Sequence, residues 1–199
     1  MALGYGSTVI YELVVTLEDV QPPVWRRLQV PAEITLADLH RVLQVAMGWA
    51  DTHLHQFVIA GELIGVPDPE ISRPLTDESK VRLVDVTLAK TQFAYEYDFG
   101  DMWRHTVVVD RVLHDVDGEV RCLDGARACP PEDSGGWAGY DELCDILTDP
   151  RRPEHSGRLA SLGGAFDPEA FDLGETNDRL HRQSPLAIDQ APAASMLLH

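Results

Sequence analysis

Apolar residues recur along the first sixty positions with two different periods. In VIYELVVTLEDVQPPVWRRLQVP, Tyr11, Leu13, Val15 and Leu17 alternate with their neighbours, the period of a half-buried strand. Pro22-Pro23 interrupts the run and alternation resumes from Val24 to Val30, which predicts an antiparallel hairpin. TLADLHRVLQVAMGW then changes to the helical period. Leu36, Leu39, Leu43, Ala46 and Met47 fall on one stripe, Thr35 and Asp38 form a variant capping box, and Gly48 stands at a left-handed C-cap. HLHQFVIAGELIGV returns to period two, so His53, His55, Phe57 and Ile59 are expected on one strand face.

Residues 67–80 form a polar, proline-containing stretch expected to be a mobile loop, and Val81 to Ala89 suits either a strand or a short helix. Phe93 to Leu113 predicts a second hairpin, around the crowded sequence YEYDFGDMWRH. A two-residue turn at Phe99-Gly100 would set Asp98 against Asp101, an unfavourable like-charge pair. A three-residue loop, Phe99-Gly100-Asp101, instead places Tyr97 opposite Trp103, Tyr95 opposite His105 and Phe93 opposite Val107. Glu96 then faces Arg104 on the other side of the sheet, and Asp101 takes the left-handed position. Helices are expected from Tyr140, over Glu154 to Leu162, and from Asp167-Pro168 to Arg182. Strands early and in the middle with helices late predict an α+β fold: a mainly antiparallel sheet with helices packed on one face, as a single domain over residues 1–182. Residues 183–199 have the composition of a disordered tail.

Charge narrows the function. The formal net charge is −17, and the tight basic pairs are Arg26-Arg27 and Arg151-Arg152. Direct nucleic-acid binding is therefore disfavoured, and a basic protein, a metal ion or a small cationic ligand suits the chain better. No apolar run approaches the roughly 18 residues that span a bilayer. The start of the chain lacks the basic and apolar regions of a secretory signal, which predicts a cytoplasmic location. Three cysteines, Cys122, Cys129 and Cys144, suit free thiols in a reducing compartment.

Candidate chemistry comes from histidine and carboxylate. His53, His55 and His105 are candidate ligands for a divalent metal, with an acid drawn from Asp98, Asp101, Glu132 or Asp133. His40 and Gln44, one helical turn apart, are candidate supporting residues. The opposing structural reading makes Glu96–Arg104 a plain cross-strand ion pair and His105 a core histidine. CPPEDSGGWAGY reads as a proline-stiffened loop packed by Trp137 and Tyr140, with Glu132 and Asp133 either capping a turn or facing a ligand. No serine or cysteine stands in a nucleophile elbow, and neither GGW nor GGAF has the setting of a phosphate loop.

The stretches PPVWRRLQVPAEITLADLHRVLQVAMGWADTHLHQF, YEYDFGDMWRHTV, CLDGARACPPEDSGGWAGYDEL and FDPEAFDL, in this order over about residues 9 to 182, closely resemble the plasmid pRiA4b ORF-3-like family. The resemblance implies an α+β domain and carries no catalytic residue with it, the family's function being unknown. It also implies a possible association with plasmids or mobile elements, as a factor acting through a protein partner. Two functional expectations stand. The first is a non-enzymatic binding or accessory module, engaging a protein or small molecule through Asp98, Asp101, Trp103, Glu132, Asp133 and Trp137. The second is a metal-dependent, hydrolase-like enzyme with His53, His55 and His105 as ligands and Glu132 or Asp133 as base.

Overall fold

A computed structural model describes residues 9–68, 75–114, 117–164 and 166–183. Eight strands form one sheet in the order β5-β4-β3-β6-β7-β1-β2-β8. They are β1 (Val9–Leu17), β2 (Trp25–Pro31), β3 (His55–Ile59), β4 (Glu62–Gly65), β5 (Thr76–Asp77), β6 (Gln92–Tyr97), β7 (Trp103–His114) and β8 (Arg121–Ala126). All neighbours are antiparallel except β4 and β5. The helices are α1 (Leu36–Met47), α2 (Leu83–Val86), α3 (Gly136–Thr148), α4 (His155–Ser161) and α5 (Leu173–Gln183). The fold is the expected α+β class.

The alternation of β1 has the expected result, with Tyr11, Leu13, Val15 and Leu17 all buried. They share a core with the α1 stripe of Leu36, Leu39, Leu43 and Ala46 and with Phe57, Tyr95 and Val107 from the strands. Hydrophobic burial of this kind drives the sheet and helix together. Thr35 caps α1 by accepting a hydrogen bond from the Asp38 amide, and Gly48 closes it at φ 103°. Polar residues on and beside the central strands form ion pairs: Arg27 with Asp110 across β1, Lys90 with Asp110, and Arg104 with both Glu96 and Glu18.

The β6–β7 register matches the expected one at every pair, including Tyr97–Trp103, Tyr95–His105 and Glu96–Arg104. The turn chemistry differs. Asp98 and Met102 carry the positive φ values, 55° and 58°, in place of Asp101. Three further elements differ from expectation. HLHQFVIAGELIGV is two strands joined by the Ala60-Gly61 turn, with φ of 51° and 85°, and the first of them begins only at His55. Helix α3 begins four residues before Tyr140. Helix α5 begins at Leu173, because Asp172 rather than Asp167 accepts an amide hydrogen of its first turn, that of Glu175 at 2.9 Å. Val81 to Ala89 contains the short helix α2, and the expected loop at 67–80 contains β5 and a 3-10 turn at Glu78–Lys80. Residues 69–74 of that loop, and the tail from 184 onward, lie outside the described residues.

Arg26 and Arg27 do not form a basic surface. Arg26 is buried, and Arg27 is tied to Asp110 at 2.7 Å.

Candidate functional site

Two polar clusters flank the start of β3, and they divide the histidines that the sequence groups together. The first is built on the inner side of α1. His40 Nδ1 lies 2.8 Å from the Tyr95 hydroxyl, and His40 Nε2 lies 2.9 Å from Asp51 Oδ1. Gln44 Nε2 donates to the same hydroxyl at 2.8 Å, and the Asp51 amide donates to Gln44 Oε1 at 2.9 Å. The carboxylate can only accept, which assigns the His40 proton to Nε2 and makes Nδ1 the acceptor for Tyr95. The result is a closed ring of four hydrogen bonds through Gln44, Tyr95, His40 and Asp51. The His55 ring stacks on that of His40, with centroids 3.4 Å apart and planes within 3°, and its Nε2 meets Glu78 Oε2 at 2.8 Å. Burial, and then the neighbouring His55, hold the His40 pKa down to about 4.

The second cluster surrounds His53. Its Nε2 stands 3.4 Å from Asp133 Oδ1, 3.7 Å from Asp98 Oδ2 and 3.7 Å from Glu132 Oε2. Three segments distant in sequence supply these groups: the residues before β3, the β6–β7 turn and the loop before α3. Asp98 directs its other oxygen at its own turn, where Oδ1 accepts from the Gly100 amide at 2.9 Å and the Asp101 amide at 3.3 Å. Glu132 is held in the same fashion, its Oε1 accepting from the Ala50 amide at 2.7 Å and the Tyr97 hydroxyl at 3.0 Å. Each carboxylate therefore has one oxygen tied to the protein and one aimed at the imidazole. Asp101 points elsewhere: its Oδ2 accepts from the Gly135 amide at 2.9 Å and docks the 133–136 segment onto the turn.

The remaining candidates are scattered. His105 is fully buried behind Tyr95, with Nδ1 3.3 Å from the Tyr95 carbonyl, and belongs to neither group of metal-ligating side chains. Trp103 is also in the core, packed on Trp49 at 5.7 Å between ring centroids. Trp137 is exposed and lies beside Tyr140 in a smaller depression. The three thiols are free, and burial raises the pKa of each, that of Cys122 to about 11. Asp51 and Glu78 are site residues the sequence reading did not single out. Glu78 sits in a polar stretch with no periodic signal, and Asp51 occupies a left-handed turn position at φ 55°.

Burial holds the His105 pKa down to about 4. An imidazole with an ordinary value near 6.5 when unfolded then binds its proton more readily in the unfolded chain. The stability this difference supplies is complete above about pH 6.5 and is lost as pH falls toward 4. His105→Gln, which cannot titrate, is expected to flatten the pH profile by about 2 kcal/mol between pH 7 and pH 5. Urea unfolding of both proteins at the two pH values measures the difference.

This architecture defines a class, an α+β protein built on one mainly antiparallel sheet with a histidine–carboxylate cleft beside its β6–β7 turn. The model of the family described as plasmid pRiA4b ORF-3-like protein matches residues 9–175, and the chain belongs to that family. It is similar to the uncharacterized protein y4hQ of Sinorhizobium fredii, 39% identical over 173 residues, covering 84% of this chain and 89% of the relative. It is also similar to the crystal structure of a protein of unknown function, MM3350, from Methanosarcina mazei Go1. That match has a TM-score of 0.78 at 37% identity and covers 84% of this chain and 97% of the other. These relatives are uncharacterised and bring no activity with them. No described helix is long and apolar enough to cross a membrane.

Proposed function

We propose that the protein is a non-enzymatic binding module whose ligand seat is the cavity over the His40–His55 stack. One observation carries this reading: a cavity of about 480 Å³ has a polar floor and an apolar rim. That volume is within the range of small-molecule sites. His40, His55, Asp51 and Glu78 line it together with Leu54 and Phe99. Leu54, Val66 and Phe99, all lining residues, remain 62%, 56% and 42% exposed. Large apolar side chains gathered at one concavity favour an organic body. The lining carboxylates Asp51 and Glu78 outnumber the lining arginine, Arg41, which in a chain of charge −17 favours a cationic head. The thiols, pushed up by burial, are poorly suited to nucleophilic catalysis.

Alkyl- and arylammonium compounds are expected to raise the melting temperature of the protein, whereas carboxylates of the same shape leave it unchanged. At a hundredfold excess over Kd the gain corresponds to about 2.7 kcal/mol. Leu54→Arg places a cation on the exposed rim and is expected to abolish the shift. A panel of such amines that leaves the melting temperature unmoved would overturn the reading.

A second reading, a metal-dependent hydrolase-like enzyme, is favoured by one feature: His53 both lines the cavity and faces the carboxylates. Ester or phosphoester hydrolysis that appears only with added metal, and is lost in His53→Ala, would favour it over the binding module.

A further inference from the structure

We propose that His53, Asp98 and Asp133 hold a first-row divalent cation, zinc or manganese, with Glu132 as a third carboxylate beside it. The inference goes beyond the organic-ligand seat and does not depend on it.

Three observations support it. The first is spacing. Donors that share a tetrahedral ion at about 2.1 Å lie about 3.4 Å from one another. His53 Nε2 lies 3.4 Å from Asp133, 3.7 Å from Asp98 and 3.7 Å from Glu132, and one atom each of His53, Asp98 and Asp133 fall within 4.8 Å of one another. Hydrogen bonds between nitrogen and oxygen centre near 2.9 Å, so these contacts are too long to be good ones. The second is desatisfaction. His53 Nε2 and Glu132 Oε2 are shielded from solvent and have no hydrogen-bond partner. Each carries a desolvation penalty that a bound ion would relieve, and here two such atoms face one another within the same cluster. The third is presentation. Asp98 is only 6% exposed, and its Oδ1 and the Glu132 Oε1 are already fixed by amides and a hydroxyl. Such support for carboxylate ligands is the usual outer shell of a metal site.

The neighbouring cluster is the control. His40, Asp51 and His55 also present atoms within 4.8 Å of one another. There, however, His40 Nε2 and His55 Nε2 are closed by carboxylates at 2.9 and 2.8 Å, so no donor waits for an ion. Around His53 three carboxylates gather, and among the described residues no lysine or arginine forms an ion pair with Asp98, Glu132 or Asp133. A divalent cation would relieve their mutual repulsion. One imidazole with two or three carboxylates suits zinc or manganese better than the softer thiolate-seeking ions.

Untagged protein, stripped with chelator and checked by circular dichroism, is titrated with Zn²⁺ and with Mn²⁺ by calorimetry. One equivalent is expected to bind. His53→Ala is expected to weaken it about a hundredfold or more and Asp133→Asn at least about tenfold, since loss of an outer-shell group alone costs about 10–100-fold. The Asp133 side chain is 81% exposed, so that variant keeps its fold even where His53→Ala does not. Asp98→Asn retains the oxygen that accepts from Gly100 and removes the charge, and it too is expected to weaken binding. No heat of binding with either ion overturns the proposal. So does binding unchanged in Asp133→Asn and Asp98→Asn but lost in Asp51→Asn, which would place the ion on the His40 cluster. The amine melting experiment is run on the stripped protein, so failure of one reading leaves the other standing.

Discussion

Replacing Arg26 with alanine is expected to cost about 3–5 kcal/mol of folding stability, because several buried carbonyls lose their donor at about 1–3 kcal/mol each. The guanidinium donates to four carbonyls: Ala46 at 2.9 Å, Trp25 at 2.8 Å, Ala126 at 2.9 Å and Arg127 at 2.9 Å. Those carbonyls belong to the last turn of α1, to β2, and to the end of β8 and the residue after it, so one side chain joins three elements. Its remaining face lies 4.4 Å from the centroid of Phe171. Helix α1 has no basic residue in its own last turn, and Arg26 supplies the cation that its C-terminal carbonyls favour. Burial lowers the Arg26 pKa from its ordinary value, yet the four carbonyls and the Phe171 ring favour the charged form. Arg26→Lys is expected to be nearly as damaging, because one ammonium cannot serve a planar set of four acceptors. Urea unfolding at pH 7 tests both variants. A loss below about 1 kcal/mol for Arg26→Ala would show that the carbonyls find other partners.

The same residue marks a limit of sequence reasoning. Arg26-Arg27 reads as a basic pair, and nothing local distinguishes a buried staple from a surface patch. Long-range partners decide it, since the Ala126 and Arg127 carbonyls lie a hundred positions away. The β6–β7 register was legible for the opposite reason. Pairing within one hairpin is local, and the three-residue loop separates the aromatic residues from Glu96 and Arg104 where the two-residue turn mixes them. The cleft was half legible. Asp98, Glu132 and Asp133 stood out as acids beside glycine and proline, and His53 as a candidate ligand. Period two, however, joined His53 to His55 in a strand that begins only at His55, whereas their ring nitrogens take different carboxylates. His105 read both as a candidate ligand and as a core histidine, and Trp103 as a binding candidate on the same strand face. Three-dimensional packing against Trp49 encloses both.

Gly139→Ala is expected to destabilise the chain by about 3 kcal/mol, at the upper end for forcing an extra methyl into a packed site. The added Cβ would stand 2.0 Å from the Ser134 carbonyl oxygen, a backbone atom with no flexible side chain to yield. That oxygen sits where it does because the preceding chain is wound through left-handed positions, with φ of 55° at Asp133, 84° at Gly135 and 68° at Gly136. Gly136 is pressed against the β6–β7 turn, where a Cβ would come within 2.8 Å of the Asp101 carbonyl oxygen. The Asp101 carboxylate fastens the Gly135 amide from the same side. Moving Ser134 to admit a methyl at Gly139 must therefore shift Asp133 and Glu132, which hang on this segment. The variant is expected to lose cation binding along with stability, even though residue 139 touches none of the proposed ligands. A control separates the two effects: Trp137→Ala, in the same helical turn but with an exposed side chain, is expected to leave the calorimetric titration unchanged. Wild-type affinity in a folded Gly139→Ala protein would mean that Glu132 and Asp133 are positioned by something other than the Ser134–Gly139 contact.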